Sequence, residues 1–161
     1  MKNTMLEMTR YAALARQAVA EGVVLLKNEA VLPLAPGGRA ALFGYAQFHY
    51  YKSGTGSGGL VNVTHVPNLP EILGGDGGYR LDAEVQARYV AWLADHPYEM
   101  GTGWAQEPWF QPEMPLDEKF VRAAAQRADT AFIVIGRTAG EDQDNTNTPG
   151  SFLLTEDEEN M

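Results

Sequence analysis

The sequence contains no cysteine, so neither a disulfide nor a thiolate metal site belongs to its design. That absence fits a reducing compartment. Basic residues are few: 12 lysines and arginines against 21 aspartates and glutamates leave a formal net charge of -9. Nucleic acid and anionic membrane both reward a basic face, so neither is an expected partner. No apolar run approaches the roughly 20 residues of a membrane span. Lys2, Glu7, Arg10 and Arg16 interrupt any apolar stretch of a signal peptide. The three histidines, His49, His65 and His96, are too scattered to be given a metal role. The expectation left standing is an acidic, soluble, cytoplasmic chain. Its 161 residues suit one domain with a real core, and 45% hydrophobic with 20% charged residues is ordinary globular composition.

The stretch around which the rest is organised is 130–145, TAFIVIGRTAGEDQDN. Its apolar run 131–135 is short enough for one strand and too uniform for a half-exposed one, which predicts a strand buried on both faces of a helix-covered parallel sheet. Gly136 ends the run, and three carboxylates follow within four residues: Glu141, Asp142 and Asp144. Ligands of open α/β sheets gather outside the carboxyl ends of the strands. Spacing alone leaves two readings open here, a ligand site and an acidic loop facing solvent.

In chain order, residues 5–21 predict an amphipathic helix with Tyr11, Leu14, Ala15, Ala18 and Val19 on one face and Gly22 at its stop. Residues 40–43 predict a first strand closed by Gly44, and 60–66 alternates like a strand. A short helix is expected over 68–73. Asp82 is an N-cap for a helix to about 95, with Val85, Tyr89, Trp92 and Leu93 inward. Residues 97–115 hold four prolines and four large aromatics, a long irregular excursion of the kind that is often functional. Its aromatics could stack on a sugar, cover the core or meet another domain. Asp117 caps a helix to about 128 with Val121, Ala124, Ala125 and Ala128 inward, and Thr155 with Glu158 forms a capping box. The chain stops at Met161 inside that last helix, so it reads as a piece of a longer protein. The alternation of strands and helices predicts an α/β class, a mostly parallel sheet sandwiched between helices, truncated at its C-terminus.

Gly54, Gly56 and Gly59 satisfy G-x-G-x-x-G, but they do not lie directly between a strand and a helix, and no Walker lysine follows. What remains is a glycine-rich loop, 52–59, whose amides and hydroxyls can approach a polar ligand closely, or a structural turn.

Four ordered blocks then become recognisable: LARQA and EGVVLLKN with Leu32-Pro33-Leu34; ALFG with YKSGTGSGG; GRTAGEDQD; and GSFLLTEDEE. Together they resemble the α/β-sandwich domain of glycoside hydrolase family 3, above all that of bacterial β-glucosidases. The resemblance covers most of the chain and is weakest over 74–115. It implies part of a retaining, exo-acting β-glycosidase that removes terminal β-linked glucose from a β-glucoside or oligosaccharide. It implies a barrel domain of the same parent, absent here, that carries the nucleophile. It places the acid/base at Glu141 and the pocket border at Lys52, Ser53, Gly54 and Thr55, with Asp144 as a hydrogen-bonding group. Neither a cofactor nor a metal is called for. The order, with Met1 just before the sandwich, resembles members in which the sandwich precedes the barrel. Glu141 would then need a raised pKa, from an apolar wall or from neighbouring carboxylates. The 161 residues alone are expected to be inactive. A carbohydrate-binding or scaffolding domain, and the same role in a β-xylosidase-type member, are the alternatives.

Overall fold

In the computed structural model, residues 8–49, 57, 62–139, 141, 142 and 144–161 are described. They fall into two compact units, Met1–Leu34 and Ala35–Met161. In the first, α1 spans Met8–Gly22 and none of its residues is buried. Beyond it the Asn28 side-chain oxygen Oδ1 accepts the Val31 and Leu32 amides at 3.1 and 3.0 Å and shapes the following turn. Residues 5–7 of the predicted helix lie outside the described residues.

The second unit is α/β. Three parallel strands, β1 (Arg39–Phe43), β2 (Arg80–Leu81) and β3 (Thr130–Ile133), form a sheet in the order β2-β1-β3. The register places Ala40 beside Thr130 and Phe43 beside Ile133. Four helices accompany them: α2 (Leu69–Gly74), α3 (Ala83–Asp95), α4 (Glu118–Arg127) and α5 (Glu156–Glu159). Ala41 and Phe43 of β1 meet Val85 and Tyr89 of α3, Phe120 and Ala124 of α4, and Met114 in one buried cluster. On the opposite β1 face, Ala40 and Leu42 are fully buried. Among the described residues no helix is long and apolar enough to cross a membrane.

The predicted caps form: Asp82 accepts the Val85 amide at 2.9 Å and Asp117 the Phe120 amide at 2.8 Å, and Asn68 caps α2 as well, accepting the Glu71 amide at 2.9 Å. Thr155 and Glu158 complete the capping box of α5.

Three expectations require correction. The strand buried on both faces is β1, not 131–135: β3 alternates between half-buried and exposed residues, and Ile133 is 52% exposed. The reason is position, since β1 is flanked on both sides, whereas among the described residues β3 pairs with β1 alone. Residues 62–66 form no strand, and Val63 is exposed (60 and 61 lie outside the described residues). On α4 the buried residues are Phe120 and Ala124, and Ala128 packs against the same cluster as expected, while Ala125 faces solvent.

Candidate active site at the carboxyl ends of β1 and β3

From β1 the chain first reaches β2 on one side and later β3 on the other, so the strand order reverses at β1. The crevice beyond the carboxyl ends of β1 and β3 is the switch point at which such sheets bind ligands. Its floor is closed by the protein itself. The Gly44 amide donates to the Tyr89 hydroxyl at 2.7 Å, and the Tyr45 amide to the Glu113 carboxylate at 2.7 Å. Gln47 donates to the carbonyls of Leu42 and Gly44, each at 3.0 Å. Gly44 has φ of 98°, and a Cβ there would overlap the Val134 carbonyl, so no other residue fits where β1 turns beneath β3. Burial pushes the Tyr89 hydroxyl up to about 12 and the Glu113 carboxyl up to about 7.

Above this floor the loops that follow the two strands meet. The Ser57 amide, after β1, donates to a Glu141 carboxylate oxygen, after β3, at 3.0 Å. The two residues are 84 positions apart. The Ser57 amide and then its hydroxyl hold the fully exposed Glu141 carboxyl below its ordinary value. The raised pKa expected of Glu141 is therefore not a property of this chain by itself. Hydrogen bonds to the ionised form favour it, and among the described residues they outweigh the opposing desolvation.

The Glu141 loop is tied down at its base. The Thr138 amide donates to the Trp109 carbonyl at 2.8 Å, and the Thr138 hydroxyl to the Pro108 carbonyl at 2.9 Å. Arg137 binds the carbonyls of Ser151 and Leu153 and pairs with Glu158. Within the loop Asp142 takes a left-handed conformation, φ 61°. Asp144 is exposed beside it. The excursion over 97–115 thus covers the core and braces this loop: Met114 joins the buried cluster, Glu113 holds β1's exit, and the Phe110 ring fills the space above Gly150. Trp104 remains exposed.

Of the sequence-predicted site residues, Glu141 and Asp144 occupy the loop beyond β3. Lys52, Ser53, Gly54 and Thr55 lie outside the described residues. Ser57, Arg137, Glu113 and Tyr89 were not singled out as site residues. For Ser57 a signal existed, its place in the glycine-rich loop after β1. For Glu113 none did, because its partner is the amide of Tyr45, 68 positions away.

The sequence profile of the glycosyl hydrolase family 3 C-terminal domain matches residues 23–158. A β-glucosidase from Ruminococcus albus is 48% identical over 153 residues, which are 95% of this chain and 16% of that protein. β-Glucosidase A of Butyrivibrio fibrisolvens is 39% identical over 140 residues, 84% of this chain and 16% of its own. Among solved structures, a β-glucosidase from Paenibacillus barengoltzii superposes with a TM-score of 0.87 at 46% identity, covering 92% of this chain and 16% of that one. β-Glucosidase 3B from Thermotoga neapolitana, in complex with α-D-glucose, superposes with a TM-score of 0.81 at 32% identity, covering 97% of this chain and 22% of that one. The chain thus spans between 16% and 22% of the length of these relatives.

Proposed function

The chain belongs to glycosyl hydrolase family 3, as its C-terminal domain, and from that premise we propose that it supplies the acid/base carboxyl, Glu141, to a retaining β-glucosidase whose nucleophile lies elsewhere in the parent protein. The observation that carries this reading is the Ser57–Glu141 hydrogen bond across the switch point, which brings the loops beyond β1 and β3 together around one carboxylate. Lys52, Ser53, Gly54 and Thr55 would border the same pocket, and Asp144 would hydrogen-bond the sugar.

Retaining hydrolysis needs two carboxyl groups about 5–5.5 Å apart on opposite faces of the sugar. In the first step the nucleophile's carboxylate attacks the anomeric carbon. The bond to the leaving oxygen breaks, and that oxygen takes the proton of Glu141. In the second step the Glu141 carboxylate takes a proton from water as the water's oxygen displaces the nucleophile. Ser57 favours the ionised Glu141 of this second step. The protonated form of the first step needs desolvation, from the bound sugar and from the parent's opposing wall. Asp144 is too close along the same loop to attack from the opposite face, so the 161 residues alone should not turn over.

One observation favours a second reading. Glu141 is exposed and held low, the reverse of a poised acid. On that reading the domain grips sugar or positions the catalytic half without giving a proton. The pH–rate profile of the full-length parent separates the two. If Glu141 is the acid, the basic limb of kcat/KM reports loss of its proton, and Glu141→Gln abolishes that limb. A basic limb unchanged in Glu141→Gln makes the domain a binding or scaffolding module. The same profile on a xyloside and a glucoside tells a β-xylosidase-type parent from a β-glucosidase.

A further inference from the structure

The loop bearing Glu141 follows β3, which ends at Ile133, and one side chain, Arg137, ties its start to the segment 151–158. Arg137 Nε donates to the Ser151 carbonyl at 2.9 Å, and Nη2 to the Leu153 carbonyl at 3.2 Å. Nη1 donates to the Gly136 carbonyl at 2.9 Å, and both terminal nitrogens bind the Glu158 carboxylate. The Glu158 side chain is 1% exposed, and its second oxygen accepts the Thr155 amide at 2.7 Å. Burial is the largest single influence and opposes ionisation of Glu158, but the bonds from Arg137 and Thr155 and the charge of Arg137 together outweigh it and leave the carboxyl below its ordinary value. The guanidinium also lies 5.8 Å from the centroid of the Phe110 ring.

Each end of the loop is anchored independently. Thr138 is fixed to the carbonyls of Pro108 and Trp109. At the returning end, the Thr146 amide donates to the Ser151 hydroxyl at 2.9 Å, and Ser151 is 3% exposed. Arg137 joins the two ends. Glu141 lies three residues beyond Thr138, fully exposed, and Ser57 is the partner that the described residues give it. Among the described residues Glu141 is exposed and lies outside any helix, which leaves the closure of the loop base to set its backbone.

We infer that Arg137 is a positioning residue for Glu141: by clamping Ser151, Leu153 and Glu158 it fixes where the proton donor stands, without touching the sugar itself. This inference rests on the acid/base reading of Glu141. A lysine cannot replace the arginine, because a single ammonium cannot serve carbonyls on two sides and a carboxylate in one plane. A proton donor displaced by about an ångström can lose on the order of a hundredfold in rate. That loss falls on substrates whose leaving group needs a proton, not on those whose leaving group departs as a stable anion.

The test uses the full-length parent and β-glucosides of rising leaving-group pKa, from a dinitrophenyl to an alkyl glucoside. Active sites are counted by trapping with 2,4-dinitrophenyl 2-deoxy-2-fluoro-β-glucoside, so every rate is per competent site. Arg137→Lys should lose less than about 3-fold in kcat/KM on the dinitrophenyl substrate and on the order of a hundredfold on the alkyl one. Glu158→Gln, which keeps an acceptor for the Thr155 cap, should steepen the same dependence. A merely structural Arg137 would lower the trapped fraction and leave the per-site dependence flat in both variants, which overturns the inference. Glu141→Ala is measured in parallel. If it steepens the dependence and the Arg137 and Glu158 variants do not, the inference alone falls. If Glu141→Ala is itself flat, the acid/base reading falls and takes the inference with it.

Discussion

Glu113 is 5% exposed, accepts the Tyr45 amide, and has Glu158, Asp157, Arg137 and Tyr89 as its charged and titratable neighbours. Burial is the main reason its carboxyl rises to about 7 from an ordinary 4.5, and Glu158 and Asp157 add to the rise. The folded chain therefore holds this proton more tightly than the unfolded chain. Its stabilising effect is complete below about pH 4.5 and is lost as pH climbs through 7, a fall of up to about 3 kcal/mol. Urea midpoints of the 161-residue chain at pH 5 and pH 8 should show that drop. In Glu113→Gln, which keeps an acceptor for Tyr45, the Glu113 share of the drop should vanish. An equal drop in the variant would place the titration in another group. At this scale the sequence was legible where partners are near neighbours. Asp82, Asp117 and Thr155 reach amides two or three positions on, so composition and spacing alone reveal them. Glu113 with Tyr45, and Ser57 with Glu141, pair across 68 and 84 positions, and no local periodicity encodes such a meeting.

Asp82 links elements as well as capping one. Its side chain, 3% exposed, accepts the Glu84 and Val85 amides of α3 and pairs with Arg127 of α4 at 2.6 Å. Asp82→Ala removes the cap and leaves a partly buried guanidinium short of a partner, at a cost of about 2–4 kcal/mol. Asp82→Asn keeps the cap's acceptor and should cost about half as much. Chemical denaturation of the two variants checks the order: equal losses would mean that the cap contributes nothing, and an Asp82→Asn without loss that the ion pair contributes nothing. Helices were legible because their ends carry caps and their inward faces repeat every three or four residues. Strands were less so. β2 has two residues, too few for any pattern. The uniform apolarity of 131–135 marked a strand correctly but not its neighbours, because the side chains do not say which hydrogen-bonding edge is filled. The alternation across 62–66 failed because a period of two specifies a strand only where one face finds something to pack against.

For the molecule as a whole, the sheet order makes β1 the hinge of the topology and puts the loops after β1 and β3 on one crevice. The family was legible from four short blocks, and the profile match over 23–158 establishes it. The working site was legible only in part. The acid we propose, Glu141, was visible as one carboxylate among three on a loop, whereas groups that would raise its pKa have no counterpart in the described residues. The relatives are several times longer than this chain, which fits a pocket built from more than one domain. The most direct test of that account is hydrolysis of a dinitrophenyl β-glucoside by the full-length parent carrying Glu141→Ala, with and without azide. The activated leaving group needs little acid, so glycosylation should persist while hydrolysis of the glycosyl-enzyme slows. Azide needs no base, and should restore turnover by at least tenfold with a β-glucosyl azide as product. Turnover near that of the unmodified enzyme without azide, and no azide adduct, would contradict the claim that Glu141 is the acid/base.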